Sequence, residues 1–377
     1  TSTSIAVGMG DVVVSGPNGT ATLQKAFEYR LGLTAFGTAV PLGGQAFDIV
    51  AGDFNEDGVL DFAFATRDAF IGVRLGDGTG AFPGVVTTSV PGHNIYGIAA
   101  GHLDNDGHLD IVAADIDGSR ILVFHGTGSG SLTYVAPTIS GVGPFPERLR
   151  LGDLNKDGAL DVVIPLFYTG NGMAPAYARV LLGDGAGHFQ APGVDHGTLN
   201  GPQTAAVADF DGDGSLDFLT TNVQSPSLSY FRGKGDGTFF AQVPIPVAIL
   251  NEGLAIADFN KVGRSQVFVT KRNSAPVFVS FDQVGGFTTT PIATTLSGHM
   301  TAVAADVNRD GYPDVVAFGF QVGQHSVFLN DRQGGFVEHV FTGPVCDGML
   351  VAGDFDKDGR IDIGLPSTSS LTIFLNK

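Results

Sequence analysis

Tryptophan is absent from this chain, and cysteine occurs once, as Cys346. One cysteine cannot close an internal disulfide, so any cross-link must be of another kind. With no histidine near it in sequence, Cys346 reads as a small buried residue rather than a nucleophile. Basic residues are scarce: 20 Lys and Arg stand against 38 Asp and Glu, a formal charge of −18. No run of Lys or Arg offsets it. Such a chain repels nucleic acid and anionic membrane surfaces, which argues against both as partners. Long apolar runs are missing too. Those present are short and broken by Gly, Asp or Pro, far from the roughly 18 residues of a membrane-spanning helix, so membrane insertion is not expected. Thr1-Ser2-Thr3 carries neither the charged start nor the apolar core of a signal peptide. Helical periodicity is lacking as well; only Lys25 to Arg30 is a candidate for a single turn.

What is abundant is glycine, 55 of 377 residues, and phenylalanine, with 29. The acidic residues fall into evenly spaced clusters, unlike a solvating acidic tail. One unit recurs seven times: a small apolar run, then Asp-x-Asp/Asn-x-Asp-Gly-x-x-Asp, then a second apolar run. The copies begin at Asp53, His102, Asp153, Asp209, Asp258, Asp306 and Asp354, so the period is 48 to 56 residues. That is the length of a propeller blade and too long for an ankyrin or leucine-rich unit.

Each unit reads as β throughout. Ile49-Val50-Ala51 enters the first loop and Phe62 to Ala65 leaves it; Phe70 to Leu75 and Val85 to Val90 follow. Short apolar runs split by Gly and Asp turns are the pattern of an all-β fold. Gly-rich hairpins repeat as well, as in Leu75 to Phe82, Leu182 to Phe189 and Phe231 to Phe239, each closed by a Phe placed to pack between blades. Together these predict an all-β, seven-bladed propeller occupying 1–377 as one domain. Leu371 to Leu375 matches a third strand with no fourth after it, whereas Thr38 to Leu42 resembles a fourth strand with no blade before it. The expectation is a ring closed by this N-terminal strand, which would remove two open sheet edges. Residues 1–32 remain as an extension, with a hairpin expected where Val12 to Ser15 and Thr20 to Leu23 flank Gly16-Pro17-Asn18-Gly19. Asn18-Gly19-Thr20 is also an N-glycosylation acceptor pattern.

The Asp-rich loops suit calcium, which takes about six to eight oxygen ligands. A nine-residue loop offers side chains at positions 1, 3, 5 and 9 and a backbone carbonyl at 7, with Gly at 6 for the sharp turn. Five loops are complete: Asp53, Asn55, Asp57, Val59 and Asp61; Asp153, Asn155, Asp157, Ala159 and Asp161; Asp209, Asp211, Asp213, Ser215 and Asp217; Asp306, Asn308, Asp310, Tyr312 and Asp314; Asp354, Asp356, Asp358, Arg360 and Asp362. Loop two puts His102 before Asp104, Asp106 and Asp110, a weaker set because imidazole prefers softer metals. Loop five reads Asp258, Asn260, Val262 and Gln266 and is expected to be empty. About five or six structural Ca2+ ions are therefore expected. One such loop is equally well a polar turn, because Asp, Asn and Gly favour turns; five complete copies in register are not. An EF-hand would need a Glu at position 12 and flanking helices, and neither is present.

The alternation of these loops with Phe/Leu-Gly-x-Gly-x-Gly-x-Phe hairpins resembles the FG-GAP or VCBS repeat family over roughly residues 33–377. The resemblance implies a seven-bladed propeller like that of integrin α chains, with calcium on one face. It also implies an extracellular or cell-surface location. It leaves function open, since the family hosts adhesins, lectins and some polysaccharide lyases.

Ligands are then expected on the face opposite the calcium loops, around the channel. The residues placed there are Gln45, His93, Tyr96, Arg148, Gln203, His299 and Asp347, with Tyr168 in the long insertion of blade three. They differ from blade to blade, unlike a lectin with one sugar site per repeat. Two classes remain open. One is a binding module for a glycan or protein ligand. The other is a polysaccharide lyase acting on an acidic glycan, with Arg148 neutralising a carboxylate and His93, Tyr96 or His299 abstracting the adjacent proton. Gln45, His93, Gln203 and His299 would suit a second metal.

Overall fold

The computed structural model describes residues 5–16, 19–31, 33–35, 39–67, 70–91, 93–167, 176–296, 298–319, 323–345, 348–367 and 369–377. Asn18, Thr38, Tyr168, Cys346 and Asp347 lie outside them. Among the described residues every regular element is a β-strand, and the seven repeats form a seven-bladed β-propeller. Blade one consists of Ala46–Gly52, Asp61–Thr66, Phe70–Leu75 and Gly84–Ser89, paired antiparallel in chain order. Blades two to six open with Ile95–Gly101, Arg150–Gly152, Pro202–Ala208, Asn251–Ala257 and His299–Ala305. Blade seven contains Val351–Gly353, Asp362–Ser367 and Ser370–Asn376.

On the outer side of Ser370–Asn376 lie two short segments from the start of the chain. Leu33–Ala35 pairs with Thr34 opposite Leu375, and Val40–Pro41 pairs with Val40 opposite Leu371. Of the segment expected there, Thr38 to Leu42, only Val40 and Pro41 pair among the described residues; Leu33–Ala35 was not foreseen. Ile5–Gly16 and Gly19–Leu31 form a separate antiparallel pair, much longer than the hairpin expected around Gly16. Lys25 to Arg30 is no helical turn: it lies inside the second of these strands, where Phe27 pairs with Gly10 and Arg30 with Ala6. Its aromatic residues, Phe27 and Tyr29, fit a strand better than a helix.

The second strand of each of blades one to six, such as Asp61–Thr66 or Asp217–Asn222, is buried at every position. A sheet covered on both faces carries a continuous apolar run rather than an alternating one. The cover is the neighbouring blade. Seven hydrophobic clusters are seen, each spanning two successive blades. The one between blades seven and one joins Phe355, Leu371 and Ile373 to Phe62, Phe64 and Phe82. Phe82 stands edge-on to Phe355 at 5.6 Å, so the hairpin-closing Phe does seal a blade interface. Near the channel the first strands come very close: a Cβ on Gly97 would lie 2.6 Å from the Glu147 carbonyl oxygen, so only glycine fits there.

Candidate functional site

Each acidic loop is built on the same backbone frame. Position 4 is left-handed in all seven, from Glu56 at φ 60° to Lys357 at φ 59°, and so is the Gly at position 6. The position-1 Asp caps the turn. Asp53 accepts the N–H groups of Asp57 at 3.1 Å and Gly58 at 2.8 Å. Position 5 accepts the N–H of position 7, as Val59 to Asp57, Ala159 to Asp157 and Ser215 to Asp213, each 2.8 Å. Tyr312 and Arg360 donate in the same way to Asp310 and Asp358, at 2.9 Å.

The position-9 Asp is a strap. Asp61 receives the Phe54 N–H on one oxygen at 2.9 Å and the Gly76 N–H, from the exit of the third strand, on the other at 2.8 Å. Asp110, Asp161, Asp217, Asp314 and Asp362 repeat this pair of bonds. Burial pushes Asp217 up to about 6 and Asp314 to about 7 despite these donors. The position-2 carbonyl then latches the next blade: Phe54 accepts the Gly130 N–H at 2.8 Å, Leu103 that of Gly187 at 2.9 Å. In blades six and seven the side-chain amides of Asn330 and Asn376 reach back to Phe259 and Val307. Hydrogen bonds of the loops thus join blade to blade in a chain without disulfides.

The donor sets fit a hard divalent cation. In Asp104/Asp106/Asp110, Asp209/Asp211/Asp217 and Asp354/Asp356/Asp362, one oxygen of each residue lies within 4.8 Å of the others. In loops one, three and six the middle residue is Asn, and Asn55 turns its amide toward Asp57 at 2.9 Å. Loop two replaces its cap: His102 Nδ1 lies 2.8 Å from the position-7 carbonyl of His108. Loop five keeps the frame, with Asp258 accepting the N–H groups of Val262 and Gly263 at 2.8 Å. Its strap is gone. Gln266 instead accepts the Asn260 N–H and donates to the Arg264 carbonyl. A polar groove of about 290 Å³ opens beside it, lined by Val262, Arg264 and Gln266.

On the opposite face the structure brings together only part of the expected set. Phe47 stacks on Tyr96 at 4.9 Å, Arg67 lies 5.4 Å from the Phe47 centroid, and Arg148 lies 5.0 Å from that of Tyr96. These four form a cation–π ladder across blades one to three, from exposed Arg67 to buried Arg148. Burial works against the Arg148 charge, but Tyr96, Asp48, Glu147 and Glu252 more than offset it and hold the guanidinium charged. Glu147 is buried beside it and is pushed up to about 8, with Arg148 pulling the other way. Glu252 pairs with Arg272 at 2.7 Å.

The remaining expected residues are placed elsewhere. His93 binds the buried Asp115 at 2.7 Å, which also holds Arg120 at 2.6 Å. His299 binds Ser326 at 2.9 Å, and Ser326 donates to Glu338. Burial lowers His299 to about 4. The Gln45 and Gln203 carbonyls accept the N–H groups of Arg67 and Arg148. Of His93, Tyr96, Arg148 and His299, the structure thus shows Tyr96 and Arg148 in contact, with Asp115 and Ser326 as the partners of the two histidines. Some polar groups of this face find local partners in this way, while Glu147 Oε2, Arg148 Nε and His299 Nδ1 are buried without a hydrogen bond. Phe47 and Arg67 were missed; an aromatic beside a first-strand residue of the next blade is the signal that would have found Phe47.

The family profile described as FG-GAP-like repeat matches residues 53–113, 102–164, 209–269 and 306–365. No curated protein matches the chain by sequence. Among solved structures, BBS1N in complex with ARL6DN is similar at 13% identity and TM-score 0.60, over 91% of this chain and 94% of that one. Virginiamycin B lyase from Staphylococcus aureus is similar at 12% identity and TM-score 0.56, over 90% and 98%. Sqt1 of Saccharomyces cerevisiae is similar at 11% identity and TM-score 0.54, over 91% and 97%. At such identities the likeness concerns the fold alone.

Proposed function

The chain belongs to the FG-GAP-like repeat proteins, and from that premise we propose that it is an extracellular or cell-surface binding module for a protein partner. Structural calcium stiffens one face, and the opposite face carries the recognition site. Ser370–Asn376 with Leu33–Ala35 and Val40–Pro41 closes the ring in this reading, and 1–377 is one propeller with a two-stranded arm. The oxygen donor sets of the loops support calcium; when bound, the ion neutralises carboxylates that otherwise repel one another.

The observation that carries the choice of partner is the ladder Arg67–Phe47–Tyr96–Arg148. Each of its rings lies between two neighbours, so neither offers the open face on which a sugar would stack. What it does offer is an exposed guanidinium backed by two stacked rings and the buried Arg148. Arg and Tyr are the residues that most often anchor protein interfaces. The formal charge of −18 leaves few other positive anchors on the molecule. That the similar BBS1N is seen in complex with ARL6DN supports the use of such a ring for protein recognition.

Arg67 is exposed, so Arg67→Glu should spare the fold. Surface and secreted proteins are crosslinked to wild type and to this variant, the partners are identified by mass spectrometry, and both proteins are applied to a glycan array. The expected result is a protein partner whose crosslinks map near Phe47 and Arg67 and vanish in the variant. Retention on glycans by both proteins, without such a partner, overturns the reading.

A further inference from the structure

The seven loops differ at position 3. It is Asp in loops two, four and seven, as Asp104, Asp211 and Asp356, and Asn in the other four. Each of these three Asp residues has a basic side chain on it. His125 Nδ1 lies 3.0 Å from Asp104, Arg232 pairs with Asp211, and Lys377 pairs with Asp356. All three come from the exit of the third strand of the same blade. Loop six, with Asn308 at position 3, also receives a guanidinium from the exit of its third strand, but at position 5 alone, where Arg332 pairs with Asp310 at 3.0 Å. Arg232 and Lys377 thus set a positive charge against the position-3 carboxylates of loops four and seven.

Loop four carries this furthest. Arg232 stands where blades one and three have Leu75 and Leu182, one residue before the glycine that the strap holds. Its guanidinium reaches the fully buried Asp211 with one nitrogen and Asp213 with another at 2.8 Å. The Phe240 ring lies against it, 5.5 Å to the centroid. The guanidinium therefore spans positions 3 and 5, two of the oxygen donors that a cation in this loop would use.

We propose that Arg232 is the built-in counter-ion of loop four, supplying between Asp211 and Asp213 the positive charge that a divalent cation would otherwise bring. Calcium enters this loop only if Arg232 swings out, so loop four fills after loops one and three, where no such ion pair is seen among the described residues. The inference rests on the reading of the loops as calcium sites, and the experiment separates the two.

The full chain is titrated with calcium and the bound ions are counted by native mass spectrometry, for wild type and for Arg232→Leu, the residue found at this place in blades one and three. Arg232→Gln keeps the polar stem and decides the matter if the Leu variant fails to fold. Asp211→Asn with Arg232→Leu reproduces the donor set of loop one. The expected result is one more ion in each variant at the concentration where wild type reaches its plateau, the added ion binding about tenfold tighter than loop four of wild type. An equal plateau and equal midpoints overturn the proposal while leaving the other loops as calcium sites. No ion in wild type but one in the variants supports Arg232 as counter-ion and overturns calcium elsewhere. No ion in any of the proteins overturns both.

Discussion

The Arg148 guanidinium lies over the Tyr96 ring, 5.0 Å from its centroid, although the two residues belong to different blades. The backbone N–H of Arg148 binds the Gln203 carbonyl of a third blade at 3.1 Å. Arg148 therefore ties three blades together at the channel. A double-mutant cycle with Tyr96→Leu and Arg148→Met should give a coupling of about 0.5–2 kcal/mol in chemical denaturation. Additive effects would show that the contact is incidental.

Glu147 makes the same region sensitive to pH. Its carboxyl is pushed up to about 8 by burial, from an ordinary value of 4.5. The folded state then keeps a proton that the unfolded chain releases, and stability falls as pH rises from 4.5 towards 8. Glu147→Gln removes that loss. Melting curves of wild type and variant should coincide near pH 4.5 and separate in favour of the variant by pH 8; parallel curves across this range would contradict a protonated Glu147.

His299 and His325 act in the opposite sense. Both are buried, and burial lowers each from 6.5 to about 4, with Glu338 raising His299 and the Pro344 and Gly343 backbone raising His325. They stay neutral in the fold but take up protons when unfolded. Their contribution is complete above pH 6.5 and is lost as pH falls towards 4. His325 lies 4.1 Å from the Phe318 ring and packs on Phe341, so Phe can take its place. His325→Phe should flatten the acid limb of the stability profile, by on the order of 3 kcal/mol between pH 6.5 and 4. An unchanged slope would count against a neutral His325.

The strap residues should dominate loop stability. Asp161→Ala leaves the N–H groups of Leu154 and Gly183 unpaired, both bonds being 2.8 Å in the native loop. Each orphaned group costs about 1–3 kcal/mol. Gln266→Ala in loop five should cost clearly less, because Gln266 bonds only within its own loop. Equal losses in urea melts would mean that the strap is not what matters.

Chelation tests the calcium reading itself. A ligand that binds only the folded loops adds about 2.7 kcal/mol per site at a hundredfold excess over its Kd. EDTA should therefore lower the melting temperature, and calcium should restore it. A melting temperature indifferent to both would leave the loops as polar turns, held by their N–H bonds alone.

The sequence by itself determined the repeat, because each acidic loop and each Gly-rich hairpin is a local device. Loop turns need Asp, Asn and Gly at set positions, and buried second strands need unbroken apolar runs, so a period of 48 to 56 residues could be read directly. It also marked loop five as degenerate at Val262 and Gln266, and the missing strap there is the consequence. Tertiary structure decided the rest, where the chain meets itself at a distance. The ladder joins Phe47 to Arg148 across three blades. Expected partners such as His93 and His299 were drawn instead to Asp115 and Ser326, because a buried polar group takes the nearest partner its own sheet supplies. Arg232 reaches loop four only because antiparallel pairing returns the third strand to the loop that precedes the second. No local pattern announces a guanidinium arriving there; only its replacement of a leucine in the repeat leaves a trace.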